Sequence, residues 1–279
     1  MHKSRVIPQD KLTLLSIYVN ILLNMGVVFN RPEAVIIFPA LNEASRVGHH
    51  GESPGDTFRR TLDEYQNHFG DNSIGYDTQL VVVNDGSTDD TREVVLSRGI
   101  DLIDQPDSNN HGKGSAIRLG MLSILDSSSA DNIGSISFTD ADGAYSPQTL
   151  QQLIEAVMNG SDIAVARRIE NTSTNLWRHF GHIATRKMIS LLASTGVDDP
   201  QAGAIAFNPE HAGTLWGSTH IDGYAATTEV LHMANKLCLN AAQLDAVIRD
   251  AADSRINPLS DGLRLVNDSI RIKLFSLTN

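Results

Sequence analysis

Two carboxylates, Asp140 and Asp142, stand two positions apart directly after the apolar run Ile133–Thr139. Carboxylate oxygens in this arrangement can bind one divalent cation, and Mg²⁺ or Mn²⁺ would suit a ligand that carries a diphosphate. A short Asp-x-Asp motif also arises by chance, in which case the two aspartates are solvated turn residues. The pair therefore indicates a metal site only where neighbouring motifs point to the same kind of ligand.

Two further polar segments carry side chains that suit a nucleotide. Asn84 and Asp85 follow the apolar run Leu80–Val83, and a carboxylate at a strand end can accept a hydrogen bond from a nucleobase N–H. We interpret the next polar residues, Ser87–Asp89, as caps of the following helix. Lys113 stands between two glycines, which let the backbone approach a ligand, and its ammonium group can pair with a phosphate.

Polar loops directly follow three of the predicted strands, at Asn42, Asp85 and Asp140. Short apolar runs that suit buried strands alternate with helix-forming segments, which predicts an α/β fold with a mostly parallel sheet and helices on both faces. In such a sheet ligands bind beyond the carboxyl ends of the strands, so the loops at Asn42, Asp85 and Asp140 should converge on one crevice. The predicted strands are Ala34–Phe38 (ended by Pro39), Leu80–Val83, Ile100–Ile103 and Ile133–Thr139, and the predicted helices are Thr57–Phe69, Thr91–Arg98 and Lys113–Leu125, with another beginning at Asn42–Ser45.

The composition excludes several classes of protein. The 279 residues include 22 Lys+Arg and 33 Asp+Glu, which gives a formal net charge of −11. A nucleic-acid partner is not expected, because sequence-independent binding needs Lys and Arg to neutralise phosphates. The single cysteine, Cys238, excludes an internal disulfide. A chain without disulfides suits a reducing compartment, so a cytoplasmic location is the expectation. No apolar stretch reaches the roughly 20 residues that are needed to span a bilayer.

Residues 1–30 are predicted to contain an amphipathic helix that precedes the main domain. Its apolar residues recur at helical spacing and its polar residues fall elsewhere. A helix of this kind packs on the protein's own core, lies on a membrane surface or forms a dimer interface. A peripheral contact with the cytoplasmic face of a membrane and a homodimer therefore both stay open. The apolar positions are Leu12, Leu15, Val19, Leu22 and Leu23.

Taken in order, the motifs resemble the family-2 glycosyltransferases of the GT-A fold. The matching segments are FPALNE (38–43), VNDGSTDDT (83–91), GKGSA (112–116) and DADG (140–143). The resemblance implies a Rossmann-like single domain at 31–279, with a nucleotide-binding half at 31–143 and an acceptor half at 144–279. It also implies an enzyme, an inverting hexosyltransferase that uses a nucleotide sugar and a divalent cation, Mg²⁺ or Mn²⁺.

Later segments narrow the resemblance to the dolichyl- and polyprenyl-phosphate glucosyl- and mannosyltransferases. Asp162–Arg168 resembles that group's Asp-Val-Val-Ile-Gly-Ser-Arg stretch, and Asp199–Ala204 resembles its Asp-Thr-Gln-Cys-Gly-Phe. Glu229 stands where the group has an acidic residue before a helix. The implied acceptor is a polyprenyl (dolichyl or undecaprenyl) phosphate. Ala144, two positions after the second aspartate, favours UDP-glucose over GDP-mannose as the donor.

The resemblance also assigns roles to individual residues. Asp140 and Asp142 would hold the metal, with Asp142, Arg168 and Glu229 as the catalytic residues. The guanidinium fork of an arginine matches the oxygens of an acceptor phosphate. Because a phosphate acceptor needs no strong base, Glu229 or Asp199 would orient groups and would not remove a proton. Contacts to the nucleotide sugar are implied for Pro39, Ala40, Asn42, Glu43, Asn84, Asp85, Lys113, Asp140 and Ala141. Contacts to the acceptor are implied for Arg168, Arg178, Arg186, Asp199 and Gln201.

Two other functions stay open at the level of the sequence. One is a GT-A glycosyltransferase that acts on a soluble hydroxyl or glycan acceptor, which would require a general base. The other is a catalytically inactive protein that binds the nucleotide sugar and the metal without transfer. A Rossmann dehydrogenase is disfavoured, because no Gly-x-Gly-x-x-Gly motif follows the first strand.

Overall fold

The structure is a computed structural model of the 279-residue chain. It describes residues 33–46, 53, 55–71, 74–126, 132–169, 189, 193–249, 268 and 271–272, which belong to a compact unit that spans Pro32–Asn279. The helix predicted within residues 1–30 lies outside the described residues, and so do Arg178 and Arg186.

A seven-stranded sheet forms the centre of the described fold, in the order β3-β2-β1-β4-β6-β5-β7. β1 pairs in parallel with β2 and β4, β2 with β3, and β5 with β7, whereas β6 runs antiparallel to β4 and β5. The predicted mostly parallel sheet is therefore confirmed. The strands are β1 (Glu33–Ala40), β2 (Asp77–Asn84), β3 (Asp101–Asp104), β4 (Ile133–Thr139), β5 (Ile163–Ile169), β6 (Ala204–Phe207) and β7 (Ala241–Val247).

Helices of the described residues cover both faces of the sheet, as predicted. α1, α2 and α4 contribute to one core, which includes Tyr65 and Leu153, and α3, α5 and α6 contribute to the other, which includes Met121 and Trp216. Among these helices none combines the length and the apolar composition needed to cross a bilayer. The helices are α1 (Asp56–Phe69), α2 (Thr91–Leu96), α3 (Lys113–Leu125), α4 (Pro147–Met158), α5 (Pro209–Gly217) and α6 (Ala226–Lys236).

β1 shows why a continuous apolar run becomes a central strand. Ile36 and Phe38 lie in one core and Ile37 in the other, and all three are fully buried. Because both faces of the sheet are covered, each such side chain stabilises the fold by about 1.5–3 kcal/mol. The prediction that Pro39 ends this strand is wrong, since β1 continues to Ala40. Its pairing with β4 stops at Ile37, so β1 is paired only with β2 at Pro39, and a strand position that is paired on one side alone tolerates a missing N–H.

Candidate active site

The carboxyl ends of three neighbouring strands bring the predicted loops together. β1 pairs in parallel with β2 and with β4, so all three strands end at the same edge of the sheet. A backbone hydrogen bond of 2.9 Å from the Asp85 N–H to the Ala40 carbonyl joins the first two loops. Arg46, after β1, lies 3.6 Å from Asp142, after β4. The loops therefore meet in one crevice, which we name the strand-end crevice.

Asp140 is held by contacts to α3 and to the start of β6. Its backbone N–H donates to the Gly203 carbonyl at 3.0 Å, and one carboxylate oxygen forms an ion pair with the Lys113 ammonium group. The Gly203 N–H donates in turn to the Tyr145 hydroxyl at 3.1 Å. Burial raises the pKa of Tyr145, so this hydroxyl stays protonated at neutral pH. The antiparallel strand β6 therefore takes part in positioning a predicted metal ligand.

Asp142 lies in the same crevice with a different set of partners. One of its oxygens accepts a hydrogen bond from the Ala144 N–H at 3.1 Å, and the other lies 3.6 Å from Nη2 of Arg46. The Arg46 guanidinium also donates to Glu43 Oε2 at 3.1 Å. Burial and then the charge of Asp140 raise the pKa of Asp142, and Arg46 opposes the rise. Positive charge in this crevice therefore stabilises the paired carboxylates.

The donors present fit a divalent cation whose coordination is completed by ligand oxygens. Asp140 and Asp142 supply two carboxylates, and their mutual repulsion favours a bound cation. In the part of the chain that the structure describes, no three His, Cys, Asp or Glu side chains cluster as metal ligands. Mg²⁺ is commonly bound through one or two carboxylates together with waters and substrate phosphates, so two protein ligands are sufficient.

Side chains after β2 hold the loop after β1 through its backbone. The helix predicted to begin at Asn42–Ser45 is wrong for the described residues 41–46, which form turns with a φ of 50° at Asn42. The interpretation of Ser87–Asp89 as helix caps is confirmed only for Asp89, whose Oδ1 accepts from the Thr91 N–H at 3.1 Å in the first turn of α2; the N-cap residue itself is Asp90, and its side chain makes no capping bond. Side chains of this segment and of Thr91 also bind the backbone of the loop after β1. The N–H groups of Asn42, Glu43 and Ser45 donate to Ser87 Oγ (2.9 Å), Thr91 Oγ1 (2.9 Å) and Asp89 Oδ2 (2.7 Å).

Asp85 is buried at the end of β2 and anchors the loop that presents Lys113. Its oxygens accept from the backbone N–H groups of His111 (3.0 Å) and Gly112 (2.9 Å), and from the Gln105 amide (3.1 Å). A carboxylate has about four acceptor positions, so one is left for the predicted contact with a nucleobase. Asp85 therefore joins β2 to the start of α3, and the base contact stays a prediction.

The side chain of the neighbouring Asn84 forms hydrogen bonds within the fold. Its amide nitrogen donates to Asp104 Oδ1 at the end of β3 (2.8 Å), and its amide oxygen accepts from the Ser87 N–H (3.0 Å). Asn84 is buried. The amide thus links two strand ends, and its predicted contact with the base is not tested by this geometry.

Arg168 and Asp199, both predicted to bind the acceptor, form a bidentate ion pair. The two contacts are 2.6 Å from Nε and 2.8 Å from Nη2 of Arg168. Burial acts to lower the pKa of Arg168, but the hydrogen bonds and charge of Asp199 raise it, so the guanidinium stays charged. The backbone N–H of Gln201 lies 3.4 Å from Asp199, in the turn before β6. Asp199 therefore orients Arg168.

Glu229 positions a second loop beside α3. Its carboxylate accepts from the N–H groups of His220 and Ile221, each at 3.0 Å. The carbonyl of the next residue, Asp222, accepts from the Ser115 N–H at 3.0 Å, in the first turn of α3. Glu229 is therefore connected to the Lys113 segment through the backbone of 220–222.

Three residues of the crevice were not predicted from the sequence: Arg46, Tyr145 and Gly203. Arg46 follows Glu43 at a spacing of three, which identifies an ion pair but not its contact with Asp142. Gly203 stands in the segment that resembles Asp-Thr-Gln-Cys-Gly-Phe. A glycine within a matching motif is the sequence feature that could have marked this position. Nothing in the local sequence marks Tyr145.

A groove at the opposite edge of the sheet contains none of the predicted site residues. It has a volume of about 400 Å³ and lies beside the amino ends of β1 and β2. Its lining includes Glu33, Asp77 and Asp101. Because ligands of parallel sheets bind at the carboxyl ends of the strands, the strand-end crevice remains the candidate active site.

Comparison with known proteins agrees with the motifs and the fold. Dolichyl-phosphate beta-glucosyltransferase ALG5A of Trichomonas vaginalis is 26% identical over 255 residues, 86% of this chain and 72% of that protein. Dolichyl-phosphate beta-glucosyltransferase of Dictyostelium discoideum is 24% identical over 257 residues, 85% of this chain and 73% of that protein.

Solved structures confirm the predicted GT-A fold. Glucosyl-3-phosphoglycerate synthase of Mycobacterium tuberculosis, in complex with Mn²⁺, UDP and glucosyl-3-phosphoglycerate, matches with a TM-score of 0.62 and 20% sequence identity. The match covers 87% of this chain and 79% of that one. The model of the family described as glycosyl transferase family 2 matches residues 35–211. The chain therefore belongs to glycosyl transferase family 2, and the predicted enzyme class is confirmed.

Proposed function

We propose that this enzyme transfers glucose from UDP-glucose to a polyprenyl phosphate with inversion at the anomeric carbon. The observation that carries the proposal is the pair Asp140 and Asp142 in the strand-end crevice, with a cation from a different loop on each carboxylate. The transferred sugar and the acceptor class follow the names of the two glucosyltransferase relatives, which match most of this chain.

The donor is proposed to lie across the carboxyl ends of β1, β2 and β4. Asp140 and Asp142 would hold Mg²⁺ or Mn²⁺, which neutralises charge on the nucleoside diphosphate as it leaves. The same ions and UDP are present in solved structures of the mycobacterial synthase. Lys113 would contact the phosphates, and Asp85 would accept from the base. The remaining nucleotide contacts are proposed for Pro39, Ala40, Asn42, Glu43, Asn84 and Ala141.

The acceptor phosphate is proposed to bind Arg168. Asp199 uses Nε and Nη2 of this guanidinium, so the N–H groups on Nη1 stay available for a phosphate oxygen. A phosphate monoester is anionic at neutral pH, so it can attack the anomeric carbon without a strong base. Glu229 then acts by holding the 220–222 backbone. Arg178, Arg186 and Gln201 are proposed as further acceptor contacts.

The setting of the enzyme is also a proposal. A polyprenyl acceptor resides in a membrane, so the enzyme would work at its cytoplasmic face through a peripheral contact. Residues 1–30 are the proposed contact segment, because an amphipathic helix can lie in a membrane surface. The domain 31–279 would then carry all of the catalytic residues, and a homodimer through the same segment is the competing use of that helix.

The test is a matrix of donors and acceptors with purified enzyme and Mn²⁺. UDP-glucose and GDP-mannose are each offered with dolichyl phosphate, undecaprenyl phosphate or a panel of soluble hydroxyl compounds. Glucosyl transfer to a lipid phosphate with the β configuration, measured by NMR of the product, is the expected result. Transfer to soluble acceptors alone would show that the acceptor is a soluble hydroxyl compound and not a polyprenyl phosphate. Binding of UDP without transfer to any acceptor would favour a nucleotide-sugar-binding protein.

A further inference from the structure

The two proposed metal carboxylates each contact a cation of the protein. Lys113 forms an ion pair with Asp140, and Nη2 of Arg46 lies 3.6 Å from Oδ2 of Asp142. The two cations come from different parts of the chain, the start of α3 and the loop after β1. Lys113 already has a role in the proposed function. Arg46 has none, although its guanidinium lies within ion-pair distance of the second carboxylate.

Arg46 is held in the crevice by its surroundings. Its guanidinium donates to Glu43 Oε2 at 3.1 Å, and its side chain is only 19% exposed. The backbone N–H of Glu43 is itself bonded to Thr91 Oγ1, in the first turn of α2. The backbone carbonyl of Arg46 accepts from the Gly55 N–H at 2.8 Å. The guanidinium is therefore pre-oriented toward Asp142, so little side-chain entropy is lost when it meets an anion there.

A positive side chain on a metal ligand has a definite consequence. A divalent cation and the Arg46 guanidinium would share Asp142, and their like charges disfavour simultaneous binding to one carboxylate. A guanidinium has five N–H donors, so Arg46 can keep its hydrogen bond to Glu43 and still bind a second anion in place of Asp142. A nucleoside diphosphate brings that anion, and the planar fork of arginine matches its phosphate oxygens.

We propose that Arg46 is the counter-ion of Asp142 when no metal is bound, and that it binds the donor diphosphate once the carboxylate holds the cation. This inference rests on the proposed metal and donor roles of the crevice. It predicts opposite effects of Arg46 on two ligands: the side chain opposes the binding of metal alone and favours the binding of nucleotide with metal. A residue that only supported the fold would favour both.

The experiment compares wild type with Arg46→Gln. Mn²⁺ binding without nucleotide is measured by electron paramagnetic resonance, and UDP binding at saturating Mn²⁺ is measured by calorimetry. We expect Arg46→Gln to bind Mn²⁺ about threefold more tightly, the scale of one partly exposed ion pair. We expect it to bind UDP about tenfold more weakly, the scale of one charge-assisted hydrogen bond.

Two further variants serve as controls. Arg98→Gln removes an arginine with the same 19% side-chain exposure that pairs with Asp63 at 2.7 Å, outside the crevice, and should change neither affinity. Arg46→Lys keeps the positive charge and removes the planar guanidinium group. It should bind Mn²⁺ as wild type does and UDP more weakly, and it covers the case in which Arg46→Gln fails to fold by circular dichroism.

Each contrary result has a separate meaning. Unchanged or weaker Mn²⁺ binding by a folded Arg46→Gln variant overturns the counter-ion role. Tighter Mn²⁺ binding with unchanged UDP binding overturns the proposed contact between Arg46 and the donor diphosphate. If Asp142→Asn binds Mn²⁺ as well as wild type, the proposed metal site fails and this inference fails with it. If Mn²⁺ and UDP binding depend on Asp142 and are unchanged in the Arg46 variants, this inference is overturned and the proposed metal site stands.

Discussion

Gly203 lies against the carboxylate of Asp140 so closely that residue 203 has no room for a side chain. A Cβ atom at this position would stand 2.1 Å from Asp140 Oδ2 and 2.9 Å from Tyr145 Cε2. The backbone of Gly203 bonds to both neighbours, accepting from the Asp140 N–H and donating to the Tyr145 hydroxyl. The glycine directly before the antiparallel strand β6 therefore determines where a proposed metal ligand can lie.

Gly203→Ala should displace the Asp140 carboxylate. We expect Mn²⁺ affinity and transferase activity to fall at least about tenfold, and stability to fall by about 1–3 kcal/mol, the usual cost of overpacking. Mn²⁺ titration and urea unfolding measure the two effects. Gly217→Ala is the matched control, because a Cβ there has its nearest neighbour at 3.9 Å. An active variant with wild-type Mn²⁺ affinity would show that Asp140 does not need this position.

Removal of divalent cations should abolish transfer and leave the fold intact. EDTA is expected to stop product formation, and Mn²⁺ or Mg²⁺ should restore it, because two carboxylates in the crevice are proposed to hold the ion. Asp142→Asn should reduce turnover by about 10³-fold or more. Product formation followed by mass spectrometry gives the rate, and circular dichroism gives the fold. Full activity in EDTA would contradict the metal-dependent mechanism.

Asp199→Asn should weaken acceptor binding and leave donor binding nearly unchanged. Asp199 is 1% exposed and holds Arg168 by two hydrogen bonds, so its loss should cost about 3 kcal/mol and raise the KM for the acceptor phosphate. The KM for the donor should change little. Asp198→Asn is the control, because Asp198 is 65% exposed and pairs with Arg167. Equal effects of the two substitutions on the acceptor KM would argue against an oriented Arg168.

Thr91→Val tests the contact between the two loops of the nucleotide half. Its hydroxyl is fully buried and accepts from the N–H groups of Glu43 and Ala44 at 2.9 and 3.1 Å. Valine has nearly the same shape and leaves both donors without this acceptor, so we expect a loss of about 2–3 kcal/mol. Weaker UDP binding should accompany it. Urea unfolding and calorimetry are the measurements, with the exposed Thr88→Val as the neutral comparison.

The loop before α3 should show a pH-dependent contact between His111 and Asp107. The hydrogen bond and charge of Asp107 raise the pKa of His111, while hydrogen bonds from Asn109 and then His111 lower the pKa of Asp107 to about 2. The raised folded-state pKa means that the histidine stabilises the fold at low pH, and that this contribution is lost as pH rises through that pKa. NMR titration should place His111 above its ordinary value of about 6.5. Asp107→Asn should lower it.

Several features of the protein followed from its sequence. The bounds of α3 and β4, Lys113–Leu125 and Ile133–Thr139, match the predicted segments, because helix formers and continuous apolar runs are local properties of the chain. The order of polar loops after buried strands identified the crevice, since parallel strands deliver their carboxyl ends to one edge. The Asp-x-Asp motif and its neighbours likewise identified the family.

The tertiary structure alone decided how these residues are held. Asn42–Ser45 has the local character of a helix start, yet side chains from the β2–α2 segment take its N–H groups and hold it as a turn. Arg46 meets Asp142, and Gly203 meets Asp140, across long separations in the chain. Local propensity cannot report such pairs, because their geometry depends on which strands lie side by side in the folded sheet.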